Sequence, residues 1–310
     1  MDVECLIIGG GPAGLTAGTY LGRFRRRTLL IDAGQSRAAW IPITHNLPGF
    51  TEGISGPDLL NRMHAQSDLY GTKRLAGTVE RLTRSKTGAF LATVGRTEIT
   101  EQRVLLATGS LDVEPEIRGI RDAVRDGLIR YCPICDAFEA AGKKVALVAY
   151  GKCRIKEALL LRGYSDNLTV LTLGREMHNT KEESQLLVDA GIQIVTDPIS
   201  RFSRFGDDLA AWPMDTDEPL LFDVLYSALG TRIRSQLAIG LGASFDEDGA
   251  LVVDRHQRTT IPGLFAAGDV VQGLSQVSIA SAHAAIAATT MNAELPPLLF
   301  PGGTQAPLTI

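Results

Sequence analysis

The sequence predicts an α/β protein built on two βαβ units. Three observations predict it. Residues 3–8 form a short apolar run, broken by Glu4, that stops at Gly9-Gly10-Gly11, as a buried parallel strand does. A second strand–helix–strand pattern begins at Lys143 and repeats the first at a spacing of about 140 residues. A short strand near the C-terminus, residues 261–269, ends in Gly268-Asp269. A length of 310 residues accommodates about two domains.

The elements follow in order. Residues 12–20 read as a helix of small residues, with Leu15 and Leu21 on its apolar side. Residues 28–32 are a second strand, ending in Asp32. Residues 40–57, rich in Pro and Gly, read as a loop, and residues 58–70 as a helix. Residues 75–106 alternate polar and apolar stretches with turn signals, as short antiparallel strands do, and residues 104–107 read as another buried strand. Composition changes after Pro115. Residues 143–148, 155–162 and 168–173 then form strand, helix and strand, and residues 222–228 form a strand leaving that unit. Residues 278–292 read as a small-residue helix. The tail, residues 296–310, carries four prolines and reads as an extended segment or lid.

Composition removes whole classes of function. Hydrophobic residues make up 45% and charged residues 21%, near the globular average, which excludes disorder, collagen and coiled coil. Lys plus Arg total 31 against 35 Asp plus Glu, a net charge of −4, so no nucleic-acid partner is held by bulk basicity. No apolar run approaches the ~18 residues of a membrane span. The acidic start Met1-Asp2-Val3-Glu4 lacks a signal-peptide layout. Four cysteines are too few for a secreted disulfide scaffold, so the expected setting is reducing and cytoplasmic. There, a close cysteine pair is catalytic or metal-binding rather than structural.

Gly9-Gly10-Gly11-Pro12-Ala13-Gly14 matches G-x-G-x-x-G. The motif follows a strand, opens a helix, and precedes Asp32 by 23 positions, close to the spacing of an acid that reads a ribose hydroxyl. Gly9 permits the tight turn, Gly11 lets backbone approach a pyrophosphate, and Gly14 lets helix and strand pack closely; the helix N-terminus attracts phosphate. The second unit offers Ala149-Tyr150-Gly151-Lys152-Cys153-Arg154, which keeps only the middle glycine. The strand after it ends Leu173-Gly174-Arg175, with no acid for a ribose hydroxyl and one arginine for a 2′-phosphate. Either this dinucleotide site is lost, or Lys152 and Arg154 bind phosphate by charge.

Cys132-Pro133-Ile134-Cys135-Asp136 is the expected reactive centre. A C-x-x-C pair can close a short disulfide and attack another. No metal site is expected, because Cys5 and Cys153 belong to separate βαβ units and no second C-x-x-C exists. Pro133 suits a first helical position, and a helix start there lowers a thiol pKa through its dipole. Asp136 can shuttle a proton to a leaving thiolate, or merely complement the helix start. The run Arg23, Arg25, Arg26, Arg27 reads as dipole complementarity and solubility, or as a docking patch for an acidic protein. Among five histidines only His283, near the Gly-Asp turn, stands out.

Taken together these motifs resemble the low-molecular-weight thioredoxin reductases over nearly the whole chain. Gly9 to Gly14 matches that family's FAD pyrophosphate turn. Asn46-Leu47-Pro48-Gly49, with the following Gly56-Pro57-Asp58-Leu59-Leu60, resembles its flavin-side loop and helix. Ala107-Thr108-Gly109 matches its A-T-G crossover, Cys132 to Asp136 its redox centre, and the segment through Gly268-Asp269-Val270 its second FAD motif. The resemblance implies two doubly wound, Rossmann-like, three-layer domains, the second inserted in the first. An FAD-binding domain would be formed by residues 1–115 and 246–310, and a redox domain by residues 116–245. It implies FAD as cofactor and a homodimer. It further implies that Cys135 lies next to the isoalloxazine, that Cys132 attacks the partner's disulfide, and that Asp136 is the acid/base.

Three departures concern the electron donor. The family's second glycine turn is degenerate here, its H-R-R phosphate box falls on Leu173-Gly174-Arg175, and its Arg-Gln pair falls on Gln276-Val277. This pattern is similar to branches that keep FAD and the dithiol without NADPH: reductases fed by ferredoxin or another donor, and oxidases that close disulfides in small dithiols and pass electrons to oxygen. The leading expectation is exchange with a thioredoxin-like protein without NADPH. An NADPH-dependent reductase and a small-molecule dithiol oxidase remain the alternatives.

Overall fold

The computed structural model describes residues 3–115, 120–151 and 155–298. They fall into two compact units. The first is the described part of Met1–Ala39, Asp58–Ser110 and Ile233–Ile310, and the second that of Trp40–Pro57 and Leu111–Arg232. The second is therefore inserted in the first. These units place residues 40–57 with the inserted unit and residues 233–245 with the first, whereas the sequence divides the chain after residues 115 and 245.

In the first unit, β1 (Cys5–Ile8) is buried along its whole length. Helix α1 (Pro12–Arg23) begins on a proline, where no N–H is needed. The chain turns back through Arg25 at φ 63° into β2 (Thr28–Asp32), parallel to β1. Then come α2 (Gly56–Leu69), β3 (Lys73–Ala76), the antiparallel strands β4 (Arg81–Arg84), β5 (Phe90–Val94) and β6 (Thr97–Glu101), and β7 (Val104–Leu106).

In the inserted unit, β8 (Ser110–Asp112) leads to α3 (Ile120–Arg125), β9 (Ile129–Arg130) and the one-turn α4 (Pro133–Asp136). Next are β10 (Lys144–Val148), α5 (Ile155–Arg162), β11 (Asn167–Leu171), α6 (Lys181–Asp189) and β12 (Gln193–Val195). An antiparallel meander of β13 (Ile199–Phe205), β14 (Asp208–Pro213) and β15 (Leu220–Phe222) precedes β16 (Val224–Ser227). The chain returns through β17 (Thr231–Ile233) to α7 (Gln236–Ile239), β18 (Leu264–Ala266) and α8 (Val277–Ala293).

Each unit has a five-stranded parallel sheet, in the orders β18-β7-β1-β2-β3 and β12-β11-β10-β16-β9. A parallel sheet is covered on both faces, and strand alternation shows by what. In the first unit Leu6, Ile8, Leu29 and Ile31 join the core shared with Leu82, Phe90 and Ala92 of the antiparallel sheet. Helices α1 and α8 pack together, through small residues such as Thr16 and Ser281. In the inserted unit Val145 and Leu147 pack with Ala158, Leu161 and Leu187 of α5 and α6. Ala146 and Val148 pack instead with Phe202, Leu209 and Phe222 of the meander. Both units thus have helices on one face and a small antiparallel sheet on the other. The fold is the expected pair of three-layer α/β domains.

The structure corrects several expected elements. Residues 75 and 76 belong to β3, which runs parallel to β2 as the sheet edge rather than in an antiparallel group. The expected strand over residues 222–228 is two strands parted at Asp223, whose carboxylate accepts from the Lys144 N–H at 2.6 Å. The strand expected to reach Leu173 ends at Leu171, because Leu173 and Gly174 take φ of 58° and 75°. Of the arginine run, Arg26 is internal: it is 5% exposed and pairs with Glu4 at 3.1 Å and Asn292 at 2.7 Å. Most of the proline-rich tail lies outside the described residues.

Candidate active site

In the first unit the glycine turn is shaped by close approaches. Gly9 has φ 112°, donates its N–H to the Ile31 carbonyl at 2.8 Å, and lies so near the Ala107 carbonyl that a Cβ would overlap it. A Cβ on Gly14 would overlap the Gly9 carbonyl. Asp32 closes the turn from the end of β2 by accepting the Gly10 N–H at 3.1 Å. Gly11 is the N-cap of α1, its carbonyl accepting from Leu15, while its N–H makes no hydrogen bond among the described residues. An N–H free at the positive end of a helix is the donor a pyrophosphate takes. The pattern fits FAD.

The second glycine motif meets the first. Gly268 has φ 79°, and a Cβ there would lie 3.0 Å from the Ala13 Cβ, so only glycine brings this turn against the start of α1 without crowding. Asp269 follows, with Arg37 Nη1 and Ser110 Oγ each 3.4 Å from Oδ2. Thr108 donates its hydroxyl to the Arg234 carbonyl at 2.6 Å, and the Gly109 carbonyl accepts the Arg234 N–H at 2.9 Å. These two bonds fix the Ala107-Thr108-Gly109 turn. Gln276 is the N-cap of α8 and Val277 its first residue. His283, about two turns further on, has a buried Nδ1; burial lowers its pKa and the Asp269 charge opposes that. Asn46 lies in the inserted unit, where it accepts the Thr44 hydroxyl at 2.8 Å. Arg37, Ser110 and Arg234 carry no motif, and sequence reading passed over them.

In the inserted unit Cys132 and Cys135 form a disulfide with Cα atoms 5.3 Å apart. Cys132 is the N-cap of α4 and Pro133 its first residue, as the sequence suggests. The Asp136 side chain is not a surface acid. It is 13% exposed, Oδ1 accepts from Tyr226 Oη at 2.8 Å, and Oδ2 lies 3.5 Å from Arg130 Nη1. Burial raises its pKa above the usual carboxylate range, against the pull of Arg130 and Tyr226. Glu139 pairs with His45 at 3.1 Å on the same segment.

The second dinucleotide-like turn differs from the first in its hydrogen bonds. Ala149 donates to Leu171 at 3.2 Å, as Gly9 does to Ile31. Gly151, in the place of Gly11, donates its N–H to the Glu176 carbonyl at 2.8 Å and accepts from His178. Arg175 stacks over the Tyr150 ring at 4.5 Å. Lys152, Cys153 and Arg154 lie outside the described residues.

The family model described as pyridine nucleotide-disulphide oxidoreductase matches residues 3–289. The chain belongs to this family. Thioredoxin reductase from Rickettsia prowazekii is 27% identical over 91% of this chain and 94% of its own length. The crystal structure of HlmI superposes with a TM-score of 0.85 at 25% identity, covering 94% of this chain and 92% of that one. Thioredoxin reductase from Streptococcus pyogenes shares the fold, with a TM-score of 0.84 at 23% identity over 93% and 96%. The protein is a thioredoxin-reductase-like flavoprotein disulfide oxidoreductase with FAD as cofactor. No helix among the described residues is long and apolar enough to cross a membrane, and no cluster of His, Cys, Asp or Glu among them is placed to hold a metal.

Proposed function

We propose that the protein exchanges electrons between FAD, the Cys132–Cys135 pair and a thioredoxin-like protein, without NADPH. FAD, when bound, supplies the two-electron carrier. The chain's own residues do the rest. Gly11 and the start of α1 hold the pyrophosphate, Asp32 the adenosine ribose, and Asp269 faces the ribityl chain. The Cys132 thiolate attacks the partner's disulfide, the partner's second sulfur leaves with the electron pair, and Cys135 then displaces the first. Asp136 gives or takes the proton. The reading includes a homodimer in the cytoplasm and an electron donor other than NADPH, reduced ferredoxin being the candidate put to the test.

The observation that carries the exclusion of NADPH is the Gly151 N–H bonded to the Glu176 carbonyl at 2.8 Å. A dinucleotide pyrophosphate needs that N–H. The one arginine available for a 2′-phosphate is stacked on Tyr150. Releasing one hydrogen bond and one cation–π contact costs about 1–2.5 kcal/mol, roughly five- to sixty-fold in affinity. The test is anaerobic mixing of the oxidised protein with NADPH, with reduced ferredoxin and with a dithiol, following flavin absorbance. Bleaching by ferredoxin but not by micromolar NADPH is expected. Bleaching by the dithiol alone would make the protein a dithiol oxidase, and rapid bleaching by NADPH would overturn the exclusion.

A further inference from the structure

Two side chains outside every motif hold the Asp136 carboxyl. Tyr226, on β16, is buried, and its hydroxyl lies 2.8 Å from Asp136 Oδ1 and 3.0 Å from the Asp136 carbonyl oxygen. Arg130, on β9, reaches the same residue, with Nη1 3.5 Å from Oδ2 and 3.3 Å from the carbonyl oxygen. A tyrosine hydroxyl has one proton to donate and lone pairs to accept with. When the carboxylate is charged, the Tyr226 proton points at Oδ1. When the carboxyl is protonated, its own O–H donates to the Tyr226 oxygen, and the Tyr226 proton turns to the Asp136 carbonyl. Both arrangements use the distances observed, and neither leaves a buried polar group unmatched. An ordinary buried carboxylate loses a hydrogen bond on changing protonation state, and an unmatched buried group is costly.

We propose that Tyr226 and Arg130 are positioning residues for Asp136: the Tyr226 hydroxyl turns between two oxygens, so that Asp136 passes the proton of the thiol–disulfide step with its hydrogen bonds kept. This rests on the reading of Asp136 as the acid/base. In the step, one thiolate of a dithiol attacks Cys132 Sγ. The Cys132–Cys135 bond breaks, its electron pair goes to Cys135 Sγ, and the Asp136 proton follows it there. The second thiol of the dithiol, once ionised, displaces Cys132 as a thiolate and leaves as the cyclic disulfide. Two electrons pass from dithiol to protein. Glu139, after α4, faces Asp136 with like charge and is itself paired with His45. Arg130 and Tyr226 supply the opposing pull from the strand side.

The test measures reduction of the Cys132–Cys135 disulfide by dithiothreitol in the FAD-loaded protein, by thiol alkylation and mass spectrometry, from pH 5 to 9. Each rate is divided by the thiolate fraction of dithiothreitol at that pH, so ionisation of the reagent cancels. Neither NADPH nor a protein partner enters the assay. Tyr226→Phe keeps the ring that fills the core and removes only the hydroxyl. The expected result is a shift of the Asp136-dependent limb to higher pH by about one unit, because the carboxylate has lost a donor. Arg130→Gln shifts it the same way and decides the matter if Tyr226→Phe does not fold. Asp136→Asn abolishes the limb; a limb that survives in Asp136→Asn overturns the acid/base reading and the proposal with it. If Asp136→Asn abolishes the limb while Tyr226→Phe and Arg130→Gln leave it in place, the acid/base reading stands and the positioning role is refuted.

Discussion

Asp136→Asn separates the chemistry of the redox centre from its stability. Asparagine keeps an Oδ1 that accepts the Tyr226 hydroxyl, now 2.8 Å away, but cannot hold a proton for a thiolate. It loses the ion pair with Arg130, which at 3.5 Å is long. Arg130 retains the Asp136 carbonyl at 3.3 Å and the Gly127 carbonyl at 3.5 Å, so the loss is about 1–1.5 kcal/mol, the low end for a charged hydrogen bond. An opposite term acts at the same site. Burial raises the folded Asp136 pKa above 3.8, so the folded state binds more protons than the unfolded between 3.8 and the raised value. Stability falls as pH rises through that window, and at neutral pH the charged carboxylate is a burden that asparagine removes. The two terms oppose each other, and the net change is expected within about 1 kcal/mol, or roughly 2–4 °C in Tm. The thiol step, by contrast, slows by about 10²–10⁴-fold, equivalent to about 2.7–5.4 kcal/mol of barrier. The assay pairs thermal unfolding with dithiothreitol reduction of the disulfide at pH 7. A normal rate with a large loss of stability would make Asp136 a structural clamp and not the acid/base.

Gly11→Val is expected to yield a colourless protein that stays colourless with added FAD, because its Cβ would lie 3.2 Å from Ser36 Oγ and its branches fill the pyrophosphate path; retained yellow colour contradicts this. Cys135→Ser should trap a mixed disulfide between Cys132 and a thioredoxin-like protein, and Cys132→Ser should trap none; the reverse pattern would exchange the two roles. Arg26→Met should destabilise by about 1.5–3 kcal/mol, the range of a charged hydrogen bond, since Glu4 loses its 3.1 Å partner but keeps the Arg27 N–H and guanidinium. Burial pushes the Glu4 pKa up, but the Arg27 N–H and the Arg26 guanidinium outweigh it and hold the value below 4.5. The contribution is therefore present above pH 4.5 and lost as pH falls through the lower folded value, so the gap between wild type and Arg26→Met should narrow in acid, leaving the pH-independent loss of the Asn292 bonds. A constant gap across that range would refute the linkage.

The βαβ start was legible because its glycines fall in one contiguous motif; Gly14 meets the Gly9 carbonyl within the turn itself, although the Ala107 carbonyl that crowds Gly9 comes from a distant strand. The redox segment was legible for the same cause, its reactive groups lying within five consecutive residues. Helix α6 announces itself through Thr180 and Glu183, whose capping box the structure shows, but without strong apolar periodicity beside it the signal was passed over. Tyr226 was not legible. In Val224-Leu225-Tyr226-Ser227 an aromatic reads as core, and its partner lies 90 positions away. Gly151 keeps its glycine, and only the fold shows its N–H spent on Glu176. Arg26 looks like its neighbours in an arginine run until Asn292, 266 positions on, is brought beside it. What the sequence hides here is long-range pairing of polar groups, which leaves no periodicity.

In the proposed function, flavin and dithiol form one relay. An anaerobic reductive titration of the FAD-loaded protein, counting electrons against flavin absorbance and alkylated thiols, tests it most directly. Two electron pairs are expected to be taken up per chain, one by the flavin and one by the Cys132–Cys135 disulfide, with both thiols alkylated at the end. Uptake of a single pair, with the flavin bleached and the disulfide intact, would contradict it.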